Sequence, residues 1–270
     1  MLPCPFVFLT VAAGYFLSLV IYFVNFESKK DSLVMWGKRT VASSLLLHFA
    51  FILILFFRAG GLVITNLSDA IYLGSFLILA ASFFMEWRYK ARYLMLFSLP
   101  IVLLFCLLAI LLSEKSEPVA LAPNSWWLRI HTGLILSGFA GLIVAVSGAV
   151  MYLLQSAQLK SKHLGKIFLK LPSLSTLDRL HFSALSWGVI LFSLGILSGI
   201  LWAKDMKELG EVLRDPKVVL SFLTCIMYWV VLSFRLSALR RGQKIAVGTV
   251  LVFALLFVTF FAPSGFHRGF

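Results

Sequence analysis

Long apolar runs separated by short charged segments dominate this chain. Eight runs approach or exceed the length that an α-helix needs to cross a bilayer, about 20 residues. In lipid the backbone must satisfy its hydrogen bonds within each segment, which favours helices. The predicted helices lie at about 5–24, 41–57, 69–87, 93–112, 127–154, 180–203, 217–238 and 244–263. The pattern therefore predicts an all-α, polytopic membrane helix bundle, with residues 1–270 forming a single integral membrane domain.

The composition supports lipid as the main solvent of the chain. Of the 270 residues, 61% are hydrophobic and 13% are charged, whereas about a quarter of a soluble domain is charged. The mean hydropathy is +0.99. A globular core of this size cannot bury so much apolar side chain, and the short alternating segments of a membrane β-barrel are not visible.

The basic residues predict the orientation of the helices. Sixteen of the 24 Lys and Arg residues fall in one set of alternate loops, beginning with Lys29 and Lys30. Because cytoplasmic loops carry the excess of Lys and Arg, this set is predicted to be cytoplasmic and both termini to lie outside. We expect a bacterial-type cytoplasmic membrane and a retained first helix. The net charge is +13. The charged residues lie between the apolar runs, and this distribution argues against nucleic acid as a partner.

Two histidines are predicted on the outer face. His131 lies at the outer start of the fifth run, and His267 follows the eighth run. A pair of neutral imidazoles in apolar, aromatic surroundings suits axial ligation of haem iron. The alternative is ordinary interfacial histidine.

Other side chains near the predicted outer face suit the same ligand. Arg129 and Arg268 are candidates for charge-assisted contacts with haem propionates. Flat apolar walls are predicted from Trp126, Trp127 and Trp202. These tryptophans also fit the aromatic belt that anchors membrane helices at the interface, so that alternative stays open.

His48 lies near the middle of the second run, where an ionisable side chain is costly and often functional. Its simpler interpretation is a hydrogen bond to a neighbouring helix. The sequence contains no P-loop, no HExxH and no CxxCH motif. Nucleotide hydrolysis, zinc proteolysis and covalent haem attachment to this chain are therefore not predicted.

Several short motifs resemble the CcsA/HemX family of membrane proteins that handle haem in cytochrome c assembly. The similar segments run in the family's order along nearly the whole chain. They are His48, Asn66-Leu-Ser-Asp69, Leu99-Pro100, His131-Thr-Gly-Leu, Leu171-Pro-Ser-Leu-Ser-Thr-Leu-Asp178, Gly195-Ile-Leu-Ser-Gly199-Ile-Leu-Trp202-Ala203, Asp215-Pro-Lys217 and Ser264-Gly-Phe-His267.

The resemblance implies a role for three histidines. The family's two outer histidines, taken to ligate haem presented to apocytochrome c, map to His131 and His267, and its membrane histidine maps to His48. It also implies transient, non-covalent haem b, with membrane lipid, apocytochrome c and another cytochrome c assembly subunit as partners. Two features differ. The outer loop from Ala203 to Asp215 lacks the family's Trp-rich core, and Ser233 stands where a second membrane histidine is expected.

Three functions follow from these observations. The first is haem binding, transport or presentation in cytochrome c biogenesis, as an accessory part of a synthetase system rather than an enzyme by itself. The second is a non-catalytic, HemX-like membrane regulator of tetrapyrrole synthesis or a scaffold subunit. The third, a small-solute transporter, is disfavoured because the apolar runs lack the charged residues and broken helices that mark a midplane site.

Overall fold

The computed structural model describes residues 5–28, 32–59, 67–113, 126–162, 165, 169–205, 209–236 and 242–262. All secondary structure within these ranges is helical. The helices are α1 (Pro5–Glu27), α2 (Ser32–Ala59), α3 (Leu67–Tyr89), α4 (Leu94–Ser113), α5 (Trp126–Ser161), α6 (Leu174–Asp205), α7 (Leu209–Val212), α8 (Pro216–Leu236) and α9 (Gln243–Phe261).

Eight of these helices are long and apolar enough to cross a membrane, which confirms the predicted fold class. The largest differences from the prediction are at helix ends. Helix α2 begins at Ser32 instead of residue 41, and α6 begins at Leu174 instead of residue 180. Apolar runs mark only the part of a helix that lies in lipid. The backbone hydrogen bonds continue past that part into polar residues such as Lys38 and Arg39.

Local sequence explains where helices α6 and α8 begin. Ser173 Oγ accepts a hydrogen bond from the Thr176 backbone N–H at 3.3 Å, which caps the start of α6. Asp215 accepts one from the Lys217 N–H at 2.8 Å. Pro216 occupies the first position of α8, where its missing N–H costs nothing.

The described chain forms two compact units. The first contains α1 to α4, with α1 packed on α2 and α4. Its buried Glu86 accepts hydrogen bonds from Tyr22 Oη and from the Met95 backbone N–H, both at 3.1 Å. Lys38 Nζ lies 3.7 Å from the same carboxylate. These contacts tie α3 to α1, α2 and the start of α4.

The second unit contains α5 to α9 and is built around the long pair α5 and α6. Glycines allow this pair to approach closely: a Cβ atom on Gly141 would lie 2.8 Å from the Gly188 Cα. Gly141 and Gly188 therefore serve close helix packing, whereas Gly133 has nothing within 4 Å of such an atom. Helix α9 packs on α5 and α8, and α8 packs on α6.

Polar contacts also join the helices of the second unit. Arg235 forms an ion pair with Asp178 at 2.5 Å, and His181 Nε2 lies 2.9 Å from Thr249 Oγ1. No water is available in lipid to form hydrogen bonds with polar side chains, so these side chains bond to each other across helices.

Large apolar side chains cover much of the exposed surface of both units. Phe16 is 60% exposed and Leu251 is 67% exposed. Such surfaces require lipid around them, since soluble monomers rarely expose large contiguous apolar patches. The protein is therefore a multi-pass membrane protein. The outer location of both termini and the single domain over 1–270 stay predictions.

Candidate functional site

His131 lies in the second turn of α5 and is fixed by a backbone carbonyl of α6. Its Nδ1 atom is 2.7 Å from the Gly195 carbonyl oxygen. A carbonyl oxygen can only accept, so Nδ1 carries the proton and donates it. Nε2 of the neutral ring then keeps its lone pair. This is the tautomer that a histidine ligand presents to a metal, with its other nitrogen donating to a second partner.

Gly199 provides the space for the His131 ring. A Cβ atom at residue 199 would lie 2.7 Å from both Cε1 and Nδ1 of His131. Real Cβ contacts are essentially never this short. Gly195 and Gly199 are one helical turn apart, so one face of α6 supplies both the hydrogen-bond acceptor and the room for the ring.

A cavity of about 810 Å³, including its open mouth, adjoins His131. It lies entirely within the second unit, between α5, α6, α8 and α9, with Val212 of α7 at its edge. Its walls are largely apolar and include the aromatic rings of Phe139, Phe192, Trp202 and Phe260. Flat apolar walls beside one nitrogen lone pair fit a planar aromatic ligand that contains a metal.

The polar groups of this cavity are few. Ser221 donates to the Lys217 carbonyl at 2.7 Å, and Thr259 donates to the Leu255 carbonyl at 2.9 Å. Those hydroxyls are used within their own helices. Among the described residues that line the cavity, Lys217 is the single cation and no side chain is acidic.

The donor set suits haem better than a bare metal ion. Within the described ranges no group of three or more His, Cys, Asp or Glu side chains could hold a metal ion. A porphyrin brings four equatorial nitrogens of its own, so that one or two imidazoles complete the coordination of its iron. The residues present therefore fit haem, whose iron His131 would hold through Nε2.

The structure brings together only some of the predicted site residues. His131 and Trp202 line the same cavity. Arg129 is exposed and is not among the described lining residues. The reason is helical geometry, because residues two positions apart point about 200° away from each other.

The remaining predicted residues are placed elsewhere or not described. Trp127 is one helical turn before His131, but it is not among the described residues that line the cavity. Trp126 begins α5, and its side chain lies outside the described residues, as do His267 and Arg268. The haem contacts predicted for these residues stay predictions.

His48 lies in the first unit and is completely buried. Its Nδ1 is 2.7 Å from Tyr15 Oη, which is the interhelical hydrogen bond considered above as the simpler interpretation. The ring centroid is 4.1 Å from that of Tyr72 and 5.3 Å from that of Phe76. Haem binding at His48 stays a prediction.

Lys217 lines the cavity but was not predicted to be part of the site. Its signal was present in α8, where Lys217, Ser221, Thr224 and Tyr228 recur at helical spacing within an apolar run. Such a stripe marks one face of a helix. His181 lies outside this cavity lining and is buried against Thr249.

Comparison with known proteins shows which family this chain resembles over most of its length. The family model described as Cytochrome C assembly protein matches residues 64–267. Protein HemX of Bacillus subtilis (strain 168) is 24% identical over 263 residues, 94% of this chain and 93% of that protein. Protein HemX of Brevibacillus brevis is 26% identical over 94% of each chain. Cytochrome c biogenesis protein CcsA of Prochlorococcus marinus (strain MIT 9301) is 24% identical over 254 residues, 83% of this chain and 82% of that protein.

Proposed function

This chain belongs to the cytochrome c assembly protein family, and from that premise we propose that it binds haem b non-covalently and presents it during cytochrome c biogenesis. One observation carries the proposal. His131 donates through Nδ1 to the Gly195 carbonyl and keeps its Nε2 lone pair beside a largely apolar cavity. When bound, haem supplies the iron that an imidazole ligates and the reactive vinyl groups.

The residues of the cavity would perform three tasks. The Gly195 carbonyl holds His131 in one tautomer and one orientation, which makes its Nε2 a better ligand. The rings of Phe139, Phe192 and Trp202 exclude water from a planar ligand. The mouth of the cavity lets that ligand enter and leave.

In this proposal His267 would be the second histidine to hold the haem iron, and Arg268 would contact a propionate. Both assignments come from the resemblance and the residue order, and both residues follow α9 in sequence. Two imidazoles give a six-coordinate iron, and its absorption spectrum differs from that of iron with one imidazole.

The partner in this proposal is an apocytochrome c, because this chain has no CxxCH motif to receive haem covalently. A further cytochrome c assembly subunit completes the system. The proposed location is a bacterial-type cytoplasmic membrane, with haem held on the outer side.

The test is an absorption spectrum of the detergent-purified full chain, oxidised and reduced, with and without added haem. The native protein is expected to show a bis-imidazole spectrum. His131→Ala and His267→Ala are expected to lose it, and free imidazole is expected to restore it partly in His131→Ala. His163→Ala, which removes a histidine that has no role in the proposed site, serves as the control. A native protein that binds no added haem contradicts the proposal.

A second candidate is a non-catalytic membrane regulator of tetrapyrrole synthesis. The missing Trp-rich core between Ala203 and Asp215 favours it, together with the similarity to HemX proteins over nearly the full length. It predicts that replacing Lys160, Lys162 and Lys170 with Gln alters tetrapyrrole levels in cells, whereas His131→Ala does not. The opposite pattern favours haem presentation.

A further inference from the structure

The cavity beside His131 contains a cation whose role the haem-ligating histidines leave unexplained. Lys217 is the second residue of α8, and its backbone N–H is held by the Asp215 carboxylate at 2.8 Å. The Lys217 side chain lines the cavity. Its Nζ lies 6.0 Å from the centroid of the Phe260 ring, which lines the same cavity.

The Asp215 carboxylate acts on this ammonium group electrostatically, but without an ion-pair contact. No carboxylate oxygen of the described residues lies within 4.0 Å of Lys217 Nζ. The distance to Phe260 is at the outer limit of a cation–π contact. Ser221 and Thr259, the hydroxyl side chains of the cavity, donate to backbone carbonyls of their own helices. A cation beside apolar walls is costly unless an anion pairs with it.

We propose that Lys217 binds a carboxylate of the ligand, so that the cavity selects a planar apolar molecule with an acidic edge. This inference rests on the proposed function. In it, Lys217 is the residue that recognises the propionate side of the porphyrin. His131 supplies the axial nitrogen, the aromatic walls contact the ring system, and Lys217 pairs with the acid. An ammonium–carboxylate contact away from water is stronger than a neutral hydrogen bond.

The same geometry separates Lys217 from Arg129, the cation that the sequence suggested for this role. Arg129 is exposed and is not among the described residues that line the cavity, whereas Lys217 is. Both residues lie near predicted outer helix ends, and replacing either one with Met removes one positive charge. Arg129→Met is therefore a matched control for the general electrostatic attraction of an acidic ligand.

The experiment measures binding of metal-free protoporphyrin IX and of its dimethyl ester to the full-length protein in detergent. Metal-free porphyrin removes any contribution of iron ligation by His131. We expect Lys217→Met to weaken binding of the free acid by about tenfold or more. The same change should alter binding of the diester by less than about twofold, because the ester has no carboxylate to pair. Lys217→Arg and Arg129→Met are expected to keep the native preference for the acid.

Equal weakening of acid and diester by Lys217→Met would show a structural role for Lys217 and overturn the inference. An unchanged affinity for the acid would overturn it too. If Lys217→Met does not fold, Lys217→Gln takes its place, and a native protein that does not prefer the acid is then sufficient to reject the inference. A Lys217-dependent acid preference without an iron–imidazole spectrum would reject the proposed haem ligation and keep the carboxylate site.

Discussion

Two membrane histidines, His48 in the first unit and His131 in the second, each use Nδ1 in a hydrogen bond of 2.7 Å. Their partners differ in chemistry. Tyr15 Oη can donate or accept, so it permits either tautomer of His48. The Gly195 carbonyl can only accept, so it selects the tautomer of His131 that leaves Nε2 free to ligate a metal.

The surroundings of the second nitrogen differ as well. His48 is enclosed by aromatic rings, and its buried Nε2 has no hydrogen-bond partner in the described part of the chain. His131 adjoins an open cavity of about 810 Å³. Of the two histidines, His131 is therefore the one whose surroundings leave room for a ligand at the second nitrogen.

The space around His131 can be removed by a single methyl group, and this should produce the largest effect. Gly199→Ala places a Cβ atom 2.7 Å from two ring atoms of His131. The ring must move, which weakens its bond to the Gly195 carbonyl. Overpacking of this kind typically costs about 1–3 kcal/mol, so we expect haem affinity to fall by about tenfold. Titration of the Soret absorption measures it.

Gly133→Ala is the matched control for that change. Gly133 lies in α5, and a Cβ atom there has nothing within 4 Å. Its haem affinity should equal that of the native protein. A loss of affinity as large as that of Gly199→Ala would mean that helix stiffness, rather than contact with His131, controls binding.

Most of the fold could be predicted from the sequence, because apolar runs near 20 residues have few alternatives in lipid. The helix ends could not. Helix α2 extends back to Ser32 through Lys38 and Arg39, since hydropathy reports which residues lie in lipid and not where backbone hydrogen bonding stops.

The candidate site was predicted less completely. His131 and Trp202 were identified, and both line the cavity. Lys217 was noted only as part of a family-like segment, and Arg129 was preferred to it as the contact to a propionate. Proximity along the chain suggested Arg129, whereas contact between α5, α6, α8 and α9 decides which cation reaches the ligand. The hydropathy pattern of a single sequence does not predict which of its distant helices pack against each other.

His48, enclosed by aromatic rings, should matter for stability rather than for the haem binding proposed at His131. Tyr15 and His48 are both fully buried, and Tyr15→Phe removes the hydrogen bond between them. Leaving a buried polar atom unsatisfied costs about 1–3 kcal/mol. We expect a lower unfolding midpoint in a thermal or denaturant titration, with haem affinity within about twofold of the native value.

Tyr72→Phe is the control for this prediction. Tyr72 packs against His48, and its buried hydroxyl has no hydrogen-bond partner among the described residues. Removing that hydroxyl should leave stability unchanged or slightly higher. If Tyr15→Phe instead abolishes haem binding while His131→Ala retains it, the two histidines have been assigned the wrong roles.

The smallest effect is expected at the carbonyl that holds His131. The Gly195 oxygen accepts from His131 Nδ1–H at 2.7 Å and from Ser198 Oγ–H at 2.8 Å. Ser198→Ala leaves His131 as the single side-chain donor, which should strengthen that bond modestly, because two donors share one acceptor in the native protein. We expect haem affinity to rise by no more than about threefold. Ser186→Ala, which removes a hydroxyl bonded to the Phe182 carbonyl of the same helix at 2.8 Å, should change nothing. A large loss of affinity in Ser198→Ala alone would show that the serine positions the Gly195 carbonyl instead of competing for it.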